Sequence, residues 1–162
     1  MTKSLSVVLC ILLVLAAAYF ANCWLSDSRT PSPADLLQTA FHDADQVARQ
    51  RATLELIQFG PAGRPYLRRI LAESDSYDVQ AAAIDGIATL KDWQGMPHLL
   101  DAIEQSDSRL VQGRAAVAVS RLLGAYYPYS VNTSSQQQSA VLKSMRAEYA
   151  RMQESRPPET ER

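Results

Sequence analysis

Apolar positions along the chain fall into three regimes. Leu5 to Leu25 is an almost unbroken apolar run, residues 34–124 alternate apolar-periodic stretches with short polar breaks, and residues 135–153 carry one further helical stripe. The breaks in the middle region fall at Gly60-Pro61, Ser74-Asp75-Ser76, Trp93-Gln94-Gly95 and Ser106-Asp107-Ser108. Between them apolar residues recur at three- and four-residue spacing, and no alternation of period two runs long enough for a strand. The pattern predicts an all-α domain.

That pattern repeats. "SDSYDVQAAA", from Ser74 to Ala83, returns as "SDSRLVQGRA", from Ser106 to Ala115, 32 residues later. Laying residues 63–91 on 95–123 matches Gly63/Gly95, Pro65/Pro97, Leu67/Leu99, the Ser-Asp-Ser triplet, Val79/Val111, Gln80/Gln112, Ala83/Ala115 and Leu90/Leu122. Those are ten identities in 29 positions, where ordinary residue usage gives about two. A fainter first copy is present: Asp43 lies 32 residues before Asp75, and Val47 lies 32 before Val79, so Asp-x-x-x-Val occurs in three registers. Ala48, Ala52, Leu56 and Phe59 of this copy align with the later copies only after a one-residue slip, read as a small length change in a loop. A period between 20 and 50 residues is the signature of a solenoid, whose units bury their apolar faces by stacking.

Each unit reads as a helix pair. Pro65 and Pro97 sit in a first helical turn, where proline is tolerated, and Leu67, Ile70, Leu71 or Leu99, Leu100, Ile103 then form an apolar stripe. The Ser-Asp-Ser segment ends this first helix and caps the second. Val79, Ala83, Ile87 and Leu90, then Val111, Ala115, Val119 and Leu122, are the expected buried positions of the second helices. The expected architecture is a short right-handed α-solenoid of about three pairs, with an N-terminal hydrophobic helix and a C-terminal amphipathic one.

The flanks divide by composition. Residues 1–25 read as a transmembrane anchor or a signal peptide: 21 helical residues from Leu5 span about 30 Å of hydrocarbon, while Ala16-Ala17-Ala18 offers an A-x-A cleavage site. Lys3 favours a cytoplasmic N-terminus, which places the repeats outside the cytoplasm, either tethered or released as a periplasmic or secreted domain. Asn22 before Cys23 fits lipoprotein processing poorly. Residues 26–33, "SDSRTPSP", are a linker; 125–134 form a Tyr/Pro/Ser/Gln linker; 154–162 are an expected disordered tail. In the 135–153 helix Val141, Leu142, Met145, Tyr149 and Met152 form a stripe that either caps the solenoid, grips a partner or mediates self-association.

The "Gly-x-Pro-x-Leu" helix start, the aspartate before the second helix and the "Val-Gln…Ala…Leu" spacing within it resemble the short HEAT repeats, especially the compact bacterial type also seen in phycobilisome lyases. The resemblance covers roughly Gln46 to Gly124. It implies a scaffold or adaptor in which stacked second helices form a binding face for another protein, with a lyase-like accessory subunit as the alternative. One departure stands out. The arginine that commonly follows the valine is Ala48, Gln80 or Gln112 here, which puts an inter-repeat ladder of Asp–Arg contacts in doubt.

Composition and candidate chemistry change this picture little. A formal net charge of −1 lacks the basic footprint of a nucleic-acid-binding domain. Both cysteines, Cys10 and Cys23, lie in the apolar run, so residues 26–162 contain no disulfide and no thiolate metal site. His42 and His98 fall in different repeats, and no HExxH, P-loop, G-x-G-x-x-G or G-x-S-x-G motif occurs. Asp43, Asp45, Asp75, Asp78 and Asp107 precede or open helices, where capping explains them. No catalytic, cofactor or metal residue is assigned, and the chain reads as a non-enzyme. The candidate partner-binding residues are Tyr126, Tyr127 and Tyr129, which bury large rings while keeping polar tips, together with Asp85, Arg114 and Arg121, which lie outside the buried stripes. A structural envelope protein that self-associates is the remaining alternative.

Overall fold

The structure is a computed structural model that describes residues 30–155. The elements below all belong to the unit Pro33–Arg162. They are α1 (Pro33–His42), α2 (Gln46–Glu55), α3 (Arg64–Glu73), α4 (Tyr77–Thr89), α5 (Met96–Gln105), α6 (Arg109–Leu123) and α7 (Ser135–Glu154), with 3₁₀ segments at Leu56–Gly63 and Trp93–Gly95. No strand occurs among the described residues. The apolar run Leu5–Leu25 and the 156–162 tail lie outside them, and no helix within them is long and apolar enough to cross a membrane.

Helices α1/α2, α3/α4 and α5/α6 pair as antiparallel neighbours, and successive pairs stack through α2, α4 and α6 more extensively than through α1, α3 and α5. Residue size explains the asymmetry. The second helices bury Ala81, Ala82, Ala83, Ala115, Ala116 and Ala118, which let helix backbones approach closely, whereas the first helices bury Leu67, Ile70, Leu99 and Ile103. Val79, Ala83, Ile87, Val111, Ala115, Val119 and Leu122 are all buried as the periodicity requires; Leu90 is partly buried at the edge.

The glycine of each helix start has a steric reason. Gly63 caps α3 and Gly95 caps α5, each followed by proline in the first turn. A Cβ on Gly63 would come within 2.1 Å of the Leu56 carbonyl oxygen, and one on Gly95 within 2.7 Å of Ile87 Cγ2. Leu56 and Ile87 are fully buried and hold equivalent places at the end of the preceding second helix. Each new pair therefore seats its first backbone turn directly on the core of the pair before it.

The duplicated Ser-Asp-Ser…Val-Gln motif is a hydrogen-bonded joint. Ser74 Oγ accepts from the Ser76 N–H and Ser106 Oγ from the Ser108 N–H, both at 3.2 Å. Six residues on, Gln80 Nε2 donates to the Ser74 carbonyl at 2.5 Å and Gln112 Nε2 to the Ser106 carbonyl at 2.6 Å. Each glutamine thus satisfies a carbonyl left over at the end of its own repeat's first helix. The glutamines that replace the family arginine bond within the repeat, where a ladder would bond between repeats. Ser108 also caps α6 through the Val111 N–H at 3.5 Å, while Ser76 makes no side-chain cap bond.

The first pair departs from the 32-residue period as the slip anticipated, but through a different residue set than the Asp-x-x-x-Val register implies. Asp45 caps α2 through the Val47 N–H at 2.9 Å, and Asp43 accepts from the Asp45 N–H at 2.8 Å. Asp43 and Asp45 thus stand in for Ser74 and Ser76, at an offset of 31, and Val47 is exposed while Ala52 and Leu56 are buried. The shortened stretch lies between Asp45 and Arg64, where Gly60, at φ +58°, breaks α2 from the turn that leads into α3. This register puts Arg49 where Gln80 and Gln112 stand, which corrects the assignment of Ala48 to that place. Arg49 Nε is buried without a hydrogen-bond partner among the described residues, so the first joint lacks the glutamine bridge.

Helix α7 folds back on α5 and α6. Leu142 and Met145 are buried there, with Val141, Tyr149 and Met152 packed beside them. Tyr149 stacks on Trp93 at 6.5 Å between ring centroids and 14° between planes, and Arg146 pairs with Glu104 at 2.6 Å. The stripe expected either to cap the solenoid or to grip a partner or second copy covers the third pair.

Candidate functional site

Counting from the three caps Asp45, Ser76 and Ser108 puts equivalent residues of the second helices side by side. The second and ninth positions are Val47 and Leu54 on α2, Asp78 and Asp85 on α4, Leu110 and Val117 on α6. A spacing of seven keeps each couple on one helix face. The sixth positions, Arg51, Ala82 and Arg114, share that face. Val47, Leu54, Leu110 and Val117 are among the few large hydrophobic residues left exposed, with Val47 and Val117 each 59% accessible. Arg51, Arg114 and Arg121 are exposed, whereas Ala82 is buried because its neighbours on both flanks are larger. The middle helix is a low floor between two taller walls.

Polar contacts tie that floor to both walls. Asp78 accepts from Gln46 Nε2 on α2, and Asp85 forms an ion pair with Arg114 on α6. Both partners of the ion pair are about half exposed, a setting in which such pairs contribute about 0–1 kcal/mol to stability. Its larger effect is on position: it holds the guanidinium over the seam between repeats. Beside it a recess of about 230 Å³ is lined by Asp85, Ala88, Gly113, Arg114, Val117 and Arg121. The structure thus gathers three of the six candidate residues, Asp85, Arg114 and Arg121, around one depression.

The tyrosines are placed differently. Tyr127 and Tyr129 are partly buried against the core, and Tyr126 is 87% exposed. Gly124, at φ +68°, ends α6 and turns the chain into this segment. Burial pushes the Tyr129 phenol above its ordinary value; for Tyr127 burial is again the first cause, the Glu148 charge adds to it and Arg151 opposes it. A Cβ placed on Gly113 would lie 3.9 Å from Val131, so the segment after the tyrosines returns alongside α6 at the edge of the recess. Of these three tyrosines, Tyr126 is the one that stands exposed.

Leu110 and Val117 were not singled out by sequence reasoning. A signal for them existed in the repeat itself, which sets an apolar residue opposite Asp78 and another opposite Asp85. Among the described residues, no group of three or more His, Cys, Asp or Glu side chains is arranged to hold a metal ion.

Stacked pairs, close-packed second helices and a seam face built from equivalent positions agree with the one comparison that matches: residues 33–120 fit the family described as HEAT repeats. The chain belongs to that family. HEAT repeats commonly mediate protein–protein interaction, and the match begins at the first residue of α1, so the irregular first pair is a HEAT unit like the others. Searches of curated proteins and of solved structures gave no match.

Proposed function

We propose that this HEAT-repeat protein is a non-catalytic adaptor that docks another protein on the face of α2, α4 and α6, tethered to a membrane through residues 5–25 with its repeats outside the cytoplasm. The observation that carries the docking reading is the composition of that face. Val47, Leu54, Leu110 and Val117 are exposed at repeat-equivalent positions, interleaved with Arg51, Arg114 and Arg121, on either side of a helix that carries Asp78, Ala82 and Asp85. Apolar residues in a regular array, rimmed by arginine, are the composition of an interface core. The tether rests on the length and apolarity of Leu5–Leu25 and on Lys3 before it.

Two measurements test the two halves separately. Affinity capture from envelope extracts with the full chain should recover a partner that Val117→Asp fails to recover, with the melting temperature unchanged. Capture that is indifferent to Val117→Asp and Leu110→Asp removes the docking face. Cell fractionation followed by sequencing of the mature N-terminus should find the intact chain in the membrane fraction; a soluble product beginning near Tyr19 would establish cleavage in place of anchoring.

A further inference from the structure

A second recess lies on another side of the solenoid, at the edge where first helices give way to second helices between the second and third pairs. We propose that it receives a lysine or arginine side chain of the protein partner. This rests on the protein-binding reading above and adds the chemistry the partner must present.

The recess has a volume of about 320 Å³, near the lower end for sites that enclose a ligand. Leu71 and Val111, both buried, and Ala102 give it an apolar floor; Tyr77, Asp101 and Asp107 stand on its walls. A long cationic side chain has the matching profile, since its methylene stem covers apolar surface while its charged head stays at the polar rim. There it meets two carboxylates and the ring of Tyr77, which is half exposed and free to stack on a cation. Neither lysine nor arginine lines the recess. Arg146 sits 2.6 Å from Glu104 and 3.6 Å from Asp101, and the Asp101 side chain is 56% exposed. His98 is the remaining ionisable group on the lining.

The equivalent place between the first and second pairs has a different residue at the position of Asp101. Arg69 stands 32 residues before Asp101; it pairs with Glu73 at 2.9 Å and lies over the Phe41 ring at 5.9 Å. An arginine paired with a glutamate of its own helix thus stands where the third pair carries Asp101. The two edges of one repeat array therefore differ in charge at this position, and the second carries the carboxylate that the proposed ligand needs.

The test is a titration of the ¹⁵N-labelled full chain in detergent micelles with N-acetyl-arginine methylamide and N-acetyl-lysine methylamide, read from backbone amide shifts. Both should give saturable shifts confined to Tyr77, Gln80, Ser106 and Asp107, while the blocked norleucine and glutamate amides give none. Asp101→Asn combined with Asp107→Asn should weaken binding about tenfold, and Tyr77→Leu about threefold, with the melting temperature unchanged. No localised shift up to about 50 mM probe, equal shifts from the norleucine amide, or binding unaffected by the double variant overturns the proposal. Tighter binding of free putrescine than of either blocked amide assigns the recess to a soluble amine and overturns the side-chain reading. None of these outcomes alters the Val117→Asp capture result, so the two readings fail independently.

Discussion

Met145→Ala isolates the contribution of α7 to the solenoid. Met145 is fully buried on the inward face of α7, and the substitution removes three heavy atoms from a site lined by Leu142 and the apolar core that α7 covers. Buried methionine-to-alanine changes cost about 2–5 kcal/mol, according to how far the site collapses. The site lies on a terminal helix, one face of which is solvent, so partial collapse places the value near the lower half, about 2–3 kcal/mol. For a unit of this size that lowers the melting temperature by about 6–15 °C. The assay is thermal and urea unfolding followed by circular dichroism at 222 nm, with exposed Lys143→Ala as the control expected to stay within about 0.5 kcal/mol. Removing residues 125–162 should lower stability further, because it takes Leu142, Met145 and the partly buried Val141, Tyr149 and Met152 from the core together. A Met145→Ala protein within about 0.5 kcal/mol of the parent would show that α7 is not a cap and would refute the reasoning.

Three further outcomes follow from the joints and the tyrosines. Gln80→Ala and Gln112→Ala should each cost about 1 kcal/mol, and the double variant about the sum, since the two hydrogen bonds lie in separate joints; urea midpoints check this, and strong coupling would mean the joints communicate. Gly63→Ala should destabilise by about 1–3 kcal/mol because the new methyl meets a backbone carbonyl, whereas Gly60→Ala, with open space around it but at φ +58° and ψ −129°, should cost about 1–3 kcal/mol from backbone strain alone; calorimetry of both variants checks the two values, and a neutral result at either position would contradict the stated cause. The folded-state phenols of Tyr127 and Tyr129 are raised above 10.0, so the unfolded chain ionises first as pH rises. Their contribution is present below about pH 10 and is lost as pH rises through their raised folded-state values; urea midpoints measured across that window should fall less steeply for a Tyr127→Phe/Tyr129→Phe double variant than for the parent, and identical profiles would contradict their burial.

The fold was legible because burial writes itself into the sequence as periodicity. Val79, Ala83, Ile87, Val111, Ala115 and Val119 must face the core once each in every turn, and the stacking of like on like imposes the 32-residue repeat on top. The first pair was harder to read because a residue is missing between Asp45 and Arg64. The exposed Val47 then falls in register with buried Val79 by coincidence of identity, while the true equivalents differ in residue type: Asp43 and Ser74 share the oxygen that accepts from the N–H two residues on, and Asp45 holds the cap position of Ser76. Substitution by chemistry is invisible to a count of identities. Gln80 and Gln112 looked like losses relative to the family arginine, and only the position of the Ser74 and Ser106 carbonyls reveals what they hold. The face around Asp85, Arg114 and Arg121 was partly legible, since residues left outside a buried stripe are surface residues by elimination. Its apolar members and the edge recess of Tyr77, Asp101 and Asp107 were not, because each is assembled from separate helices.

The glutamine bridge also bears on how such a chain can change length over evolutionary time. Where polar ladders run from unit to unit, duplicating or deleting one unit strands a donor on one side of the junction and an acceptor on the other. Here the Gln80 bond closes on Ser74 and the Gln112 bond on Ser106, each inside the segment that a duplication would copy whole. A recombination event that adds a unit inherits its polar accounting already complete and needs only an apolar face to stack upon. The joint is thereby a portable cassette, and the array is free to grow in number while each edge diverges, as the opposite charges of Arg69 and Asp101 record.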